Sequence, residues 1–183
     1  MERVANEDFD SLRLRVKRKF ASESLKSQEA GENRQDFQLG FSIRIPDGFA
    51  RADEKTAEKI YWSQRRPTVI LLIGEGKAGL TFQALEEELQ REDLFTARET
   101  IRGVLSKLDP RTVVYDTGEE GEALWFDYKS FAGNETVYNL VFLFQGNEKK
   151  ILGSFYCSFE AYDRWRPEVL DMLNTIETKE NAE

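Results

Sequence analysis

The sequence contains no histidine and a single cysteine, Cys157. The first absence removes Ser-His-Asp and Cys-His catalysis, the usual general base near neutral pH, and the commonest transition-metal ligand. The second removes any internal disulfide and any cysteine-rich zinc site, and it fits a reducing compartment. No apolar run approaches the roughly 20 residues of a membrane span. The opening residues MERVANEDFD are too acidic for a targeting peptide, so a cytoplasmic location is expected. Lys and Arg number 26 against 34 Asp and Glu, and the net charge of −8 argues against a general affinity for nucleic-acid phosphates. Catalysis would have to rest on carboxylates, lysine, tyrosine or a bound cofactor. No catalytic residue, metal site or cofactor is expected.

What is present is a well-stocked core. Hydrophobic residues make up 40% of the chain, with thirteen Phe, which is too apolar for wholesale disorder. Residues 1–36 balance eight basic against eight acidic side chains, so the whole net charge resides in residues 37–183. Phe9, Leu12, Val16 and Phe20 fall at helical spacing, although Leu12, Leu14 and Val16 also match a strand. A charged arm, short helix plus linker, is expected over 1–36, one domain over 37–178, and a disordered tail over 179–183. Phe37, Leu39, Phe41, Ile43 and Ile45 alternate as one face of a strand, ended by the turn residues Pro46, Asp47 and Gly48. A short helix over 53–62 and a buried strand over 68–73 follow.

Leu94, Ala97, Ile101, Val104, Leu105 and Leu108 form one helical stripe, stopped by Pro110. Four strand-like runs come next, over 112–117, 123–131, 136–145 and 150–159, joined by connections too short for parallel crossovers. Tyr138, Leu140, Phe142 and Phe144 on one face and Val137, Val141 and Leu143 on the other imply cover on both sides. A last helix over 161–176 contains Pro167, which predicts an irregular first turn or a restart. These elements predict an α+β fold of the α/β/α sandwich type, a mainly antiparallel meander flanked by helices.

Gly74, Gly76 and Gly79 follow an apolar run and match the G-x-G-x-x-G dinucleotide fingerprint. Against that reading, no second parallel strand follows at the right distance, and hairpins occupy the rest of the chain. The favoured alternative is a glycine-rich hairpin turn leading to a strand that starts at Leu80. Glu86–Glu88 and Glu119, Glu120 and Glu122 lack calcium-loop spacing and read as solvated surface. Cys157 reads as buried and inert. Trp125 and Phe131, alternating with Phe126 and Tyr128, are candidates for a partner surface, as are Arg13, Arg15 and Lys17 of the arm.

The order of motifs resembles the PsbP-like fold, shared by oxygen-evolving PsbP proteins, a yeast Ran-binding import factor and many small bacterial proteins. The residues that carry it are Phe41-Ser-Ile-Arg-Ile-Pro-Asp-Gly-Phe49, the helix over 92–108, Trp125-Phe-Asp-Tyr-Lys, Val137-Tyr-Asn-Leu-Val-Phe, Gly153-Ser-Phe-Tyr-Cys-Ser-Phe, and Trp165 with its helix. The resemblance spans roughly residues 37–178. It implies an antiparallel sheet between helices and no shared enzymatic activity; the photosynthetic and Ran-binding roles match no positions here. The expectation is a non-enzymatic bacterial module acting through a protein partner. The alternatives are a flavin- or nicotinamide-dependent enzyme using the three glycines, and a carrier with a ligand pocket between sheet and helices.

Overall fold

A computed structural model describes residues 33–61 and 66–178. Residues 1–32 of the arm read over 1–36, the tail read over 179–183 and the end of the helix read over 53–62 lie outside the described residues. The chain runs β1 (Arg34–Asp36), β2 (Phe41–Arg44), β3 (Ala50–Arg51), α1 (Glu54–Ile60), β4 (Val69–Ile73), β5 (Ala78–Ala84), α2 (Glu87–Gln90) and α3 (Leu94–Leu108). It continues through β6 (Val113–Glu120), β7 (Ala123–Ala132), β8 (Glu135–Gln145), β9 (Lys150–Ser158), a 3-10 turn (Phe159–Ala161), α4 (Tyr162–Leu173) and β10 (Glu177–Thr178). The main sheet has seven strands in the order β3-β4-β5-β9-β8-β7-β6, antiparallel throughout. A small sheet, β1-β2-β10, packs against it.

Strand pleating assigns the two faces. Trp125, Phe142, Phe82 and Val69 stand level across the sheet, as do Asp127, Leu140, Phe155, Leu80 and Leu71. This face carries the large core, closed by Phe41 and Ile43 of the small sheet and by Trp165, Val169, Met172 and Leu173 of α4. Phe41 meets Phe144 edge-on at 4.8 Å, in the aromatic geometry that ring quadrupoles favour. The opposite face presents Phe126, Val141 and Leu143 to Ala97, Ile101 and Leu105 of α3, while Ile70 and Leu72 pack with Ala57 and Ile60 of α1. Helices therefore cover both faces, and the α/β/α sandwich built on an antiparallel meander is what the alternation in β8 predicts.

Helix starts follow their caps. The Asp53 and Asp93 carboxylates accept the N–H groups of Thr56 and Thr96, at 2.9 Å and 2.8 Å. At Pro167 the helix enters through the irregular 3-10 turn and then runs through the proline without restarting.

The strand expected over 37–45 begins only at Phe41, after a bend over residues 37–40. β1 takes up the last residues of the stretch read as the arm and pairs with β2 as a hairpin, bending at Gln38 (φ 61°) and Gly40 (φ 79°). Asp36 accepts the Gln38 N–H at 3.0 Å, and the Asn147 N–H donates to the Gly40 carbonyl at 3.2 Å. A Cβ at Gly40 would come within 2.9 Å of the Asn147 Cβ, so the bend seats on the β8–β9 turn. The inward alternation survives, because Phe37, Phe41, Ile43 and Ile45 are all buried.

Candidate interaction surface

The strongest polar cluster is inside. Asp127 is fully buried on the major-core face of β7 and accepts three hydrogen bonds: from Arg166 Nε at 2.8 Å, Tyr138 Oη at 3.0 Å and the Asp116 backbone N–H at 2.9 Å. The last bond has a local cause. Register shifts between Val114 and Thr117 in β6, a bulge that takes an N–H out of the ladder. The Asp127 carboxylate satisfies that N–H. Arg166 also approaches Asp116 at 3.6 Å and lies over the Trp125 ring, 5.2 Å from its centroid. Burial pushes the Asp127 carboxyl above its ordinary value, while Arg166, Tyr138 and the Asp116 amide pull the other way. The cluster ties α4 to the sheet and is closed to solvent, so it reads as architecture. Sequence reasoning missed it; the available signal was one acid at a core-facing position of an aromatic strand.

The glycine run forms the β4–β5 hairpin. Gly74 (φ 57°) and Gly76 (φ 91°) supply the left-handed turn, and the N–H groups of Gly76 and Lys77 donate to the Ile73 carbonyl. β5 begins at Ala78, so Gly79 lies in the strand, directly opposite Tyr156. A Cβ there would overlap the Tyr156 ring, whose hydroxyl donates to the Gly76 carbonyl at 3.0 Å. Among the described residues no helix N-terminus stands at this turn to receive a pyrophosphate, which removes the geometric basis of a dinucleotide site there.

The partner-surface residues separate. Trp125 has no exposed surface, which corrects the expectation for it: its face of β7 is the one that α4 covers. Phe131 is half-buried with the Arg111 guanidinium 5.0 Å above its ring. Arg13, Arg15 and Lys17 lie outside the described residues. The exposed large apolar side chains among the described residues are Phe95, Val104 and Leu108, at 59%, 52% and 74%, and all three belong to α3. Val104 and Leu108 adjoin Ile101 and Leu105, which pack inward on the sheet. Phe95 lies on the other flank, beneath the Arg98 guanidinium at 5.0 Å.

Burial raises the Cys157 thiol to about 12. Among the described residues no three His, Cys, Asp or Glu side chains converge as a metal site requires, and no helix is long and apolar enough to cross a membrane. A cleft of about 710 Å³ opens at one end of the main sheet, between the β4–β5 turn and the start of β8. Lys77, Glu135 and Glu160 line it beside Val137, Tyr156 and Phe159, and it lies at the end of the sheet, not between sheet and helices where a carrier's pocket was expected.

No protein-family model matches the sequence, and no curated protein matches it either. Solved structures do match. The solution structure of cyanobacterial PsbP (CyanoP) from Synechocystis sp. PCC 6803 aligns with a TM-score of 0.55 and 12% identity, over 85% of this chain and 99% of that one. The chain has a PsbP-like fold. The Ran-binding protein Mog1p of Saccharomyces cerevisiae shares it, with a TM-score of 0.54 and 11% identity over 81% of this chain and 96% of its own. At such identities the likeness concerns the fold alone.

Proposed function

We propose that this domain is a non-enzymatic protein-interaction module that meets its partner through the outer surface of α3. The observation that carries the reading is the exposed pair Val104 and Leu108, one turn apart on a helix whose adjoining Ile101 and Leu105 are spent on the sheet. Apolar side chains left together in solvent, rimmed by charge, are characteristic of binding surfaces. The absence of histidine supports the non-enzymatic part, and Mog1p, a Ran-binding protein, is an instance of partner binding on this fold. The single free thiol supports a reducing, cytoplasmic setting for the reading. Arg13, Arg15 and Lys17 of the arm are proposed as an auxiliary contact.

The test uses the full-length protein as bait, beside a Val104→Asp, Leu108→Asp double variant, with bound proteins quantified by mass spectrometry. Both sites are solvent-facing, so the double variant is expected to keep its melting temperature. It should lose a specific partner that the wild type retains. Capture of the same proteins by both forms, or of none by the wild type, overturns the reading.

A further inference from the structure

The cleft at the end of the sheet has a shape that strand registers explain. β9 makes its last pairs at Cys157 with Ala78 and at Ser158 with Val137. Its neighbours go further. β8 continues to pair with β7 through Thr136 and Phe131, then Glu135 and Ala132, and the Gly74–Lys77 turn projects beyond β5 on the other side. After Ser158 the chain leaves the sheet through the 3-10 turn. A missing middle strand leaves walls two strand spacings apart, roughly 9–10 Å. The slot is therefore one strand wide, and β9 itself blocks its inner end.

An edge inside a sheet can be extended by a strand from another chain. Because this one is a dead end, the added strand must terminate in it, which selects a chain terminus over an internal segment. Charge selects which terminus. Glu135 and Glu160 line the cleft against a single Lys77, and among the described residues none of the three is engaged in an ion pair. We propose that the slot takes the amino-terminal residues of an extended peptide, laid where β9 would continue, with the terminal ammonium against Glu135 and Glu160. The slot uses none of the α3 residues, so failure here leaves the α3 reading standing.

The experiment titrates the ¹⁵N-labelled full-length protein with the peptide Ala-Val-Thr-Val-amide and with its N-acetylated form. Amide shifts are expected at Gly76, Lys77, Thr136, Val137 and Ser158. Acetylation should weaken binding by roughly two- to thirty-fold, the range set by two solvated ion pairs. A Glu135→Gln, Glu160→Gln double variant should lose a similar factor. The proposal is overturned by no shifts at millimolar peptide, by equal binding of the acetylated form, or by shifts confined elsewhere. Shifts at these residues that appear with protein concentration alone, and that added peptide does not change, would make a second copy the occupant and also overturn it.

Discussion

Replacing Arg166 with Met tests the buried cluster most directly, because it removes the charge and keeps much of the side chain's bulk. Arg166 is 4% exposed and Asp127 is fully buried, so solvent cannot take over the lost partner. Breaking a buried pair on one side costs about 3–5 kcal/mol, since the remaining charge stays desolvated. For a domain of this size that lowers the melting temperature by roughly 6–20 °C. The cost should also depend on pH. Burial already holds the Asp127 carboxyl above its ordinary value, and losing Arg166 removes the strongest opposing pull. With a folded pKa above the unfolded value of about 3.9, the native state keeps a proton that the unfolded chain has released. The penalty is therefore absent below the unfolded pKa and complete once pH has risen through the folded one. Tyr138, the other titratable side chain bonded to Asp127, remains in both proteins. Urea unfolding followed by circular dichroism at pH 5, 6, 7 and 8 should show the gap between wild type and variant widening as pH rises. A gap below about 1 kcal/mol, or one that does not vary with pH, would refute the reasoning.

Three further outcomes are expected. Gly153→Ala should destabilise by at least about 1–3 kcal/mol, because the new Cβ overlaps the Phe142 ring, and Gly153→Ala with Phe142→Leu should recover part of the loss in the same assay. Gly103→Ala should stabilise by about 0.4–1 kcal/mol, since Gly103 lies within α3 and a Cβ there meets nothing within 4 Å; an unchanged or lower urea midpoint counts against this. Cys157, held near 12 in the fold, should react with a thiol reagent at pH 8 only after unfolding. Its raised pKa also means that its contribution to stability is full below the unfolded value near 8.5 and is lost as pH rises through 12. Tyr61 and Tyr128, both raised to about 12 by burial, act in the same direction, so the urea midpoint should fall between pH 9 and 11.

The meander was legible because its evidence is local. Two-sided apolar alternation in β8 and glycine or asparagine at each turn together require antiparallel neighbours beneath cover on both faces. The late start of the predicted 37–45 strand was not legible, because the bend before it seats on Asn147, more than a hundred residues away. Trp125 shows a second limit. Alternation put it opposite Phe126, but when both faces are covered, period two cannot say which residue meets solvent. Asp127 shows a third. An acid in an aromatic strand is visible in sequence, but its partner Arg166, on α4, is 39 positions away. Val104 and Leu108 were hidden differently, since they belong to the same 3.6-residue stripe as Ala97, Ile101 and Leu105, which pack on the sheet.

The glycine fingerprint shows how one pattern can arise from two physical requirements. A phosphate site needs glycine so that backbone can approach an anion at a helix N-terminus. This sheet needs glycine so that an aromatic ring can lie flat across the neighbouring strand. The pairing recurs in register three times: Gly79 opposite Tyr156, Gly153 opposite Phe142, and Gly118 opposite Trp125. In each, a Cβ on the glycine would strike the ring. Gly74 and Gly76 answer a different demand, the left-handed φ values of a tight hairpin. Two unrelated constraints, turn at Gly74 and Gly76 and ring at Gly79, thus fall within six residues by the geometry of one hairpin. The same ring that makes Gly79 necessary also donates its hydroxyl to Gly76, so Tyr156 fixes the turn as well as the strand. A strand-to-helix phosphate loop would have to expel that ring, bare Gly79 and leave the β5–β9 ladder unpaired, and nothing in the fold compensates for such a loss.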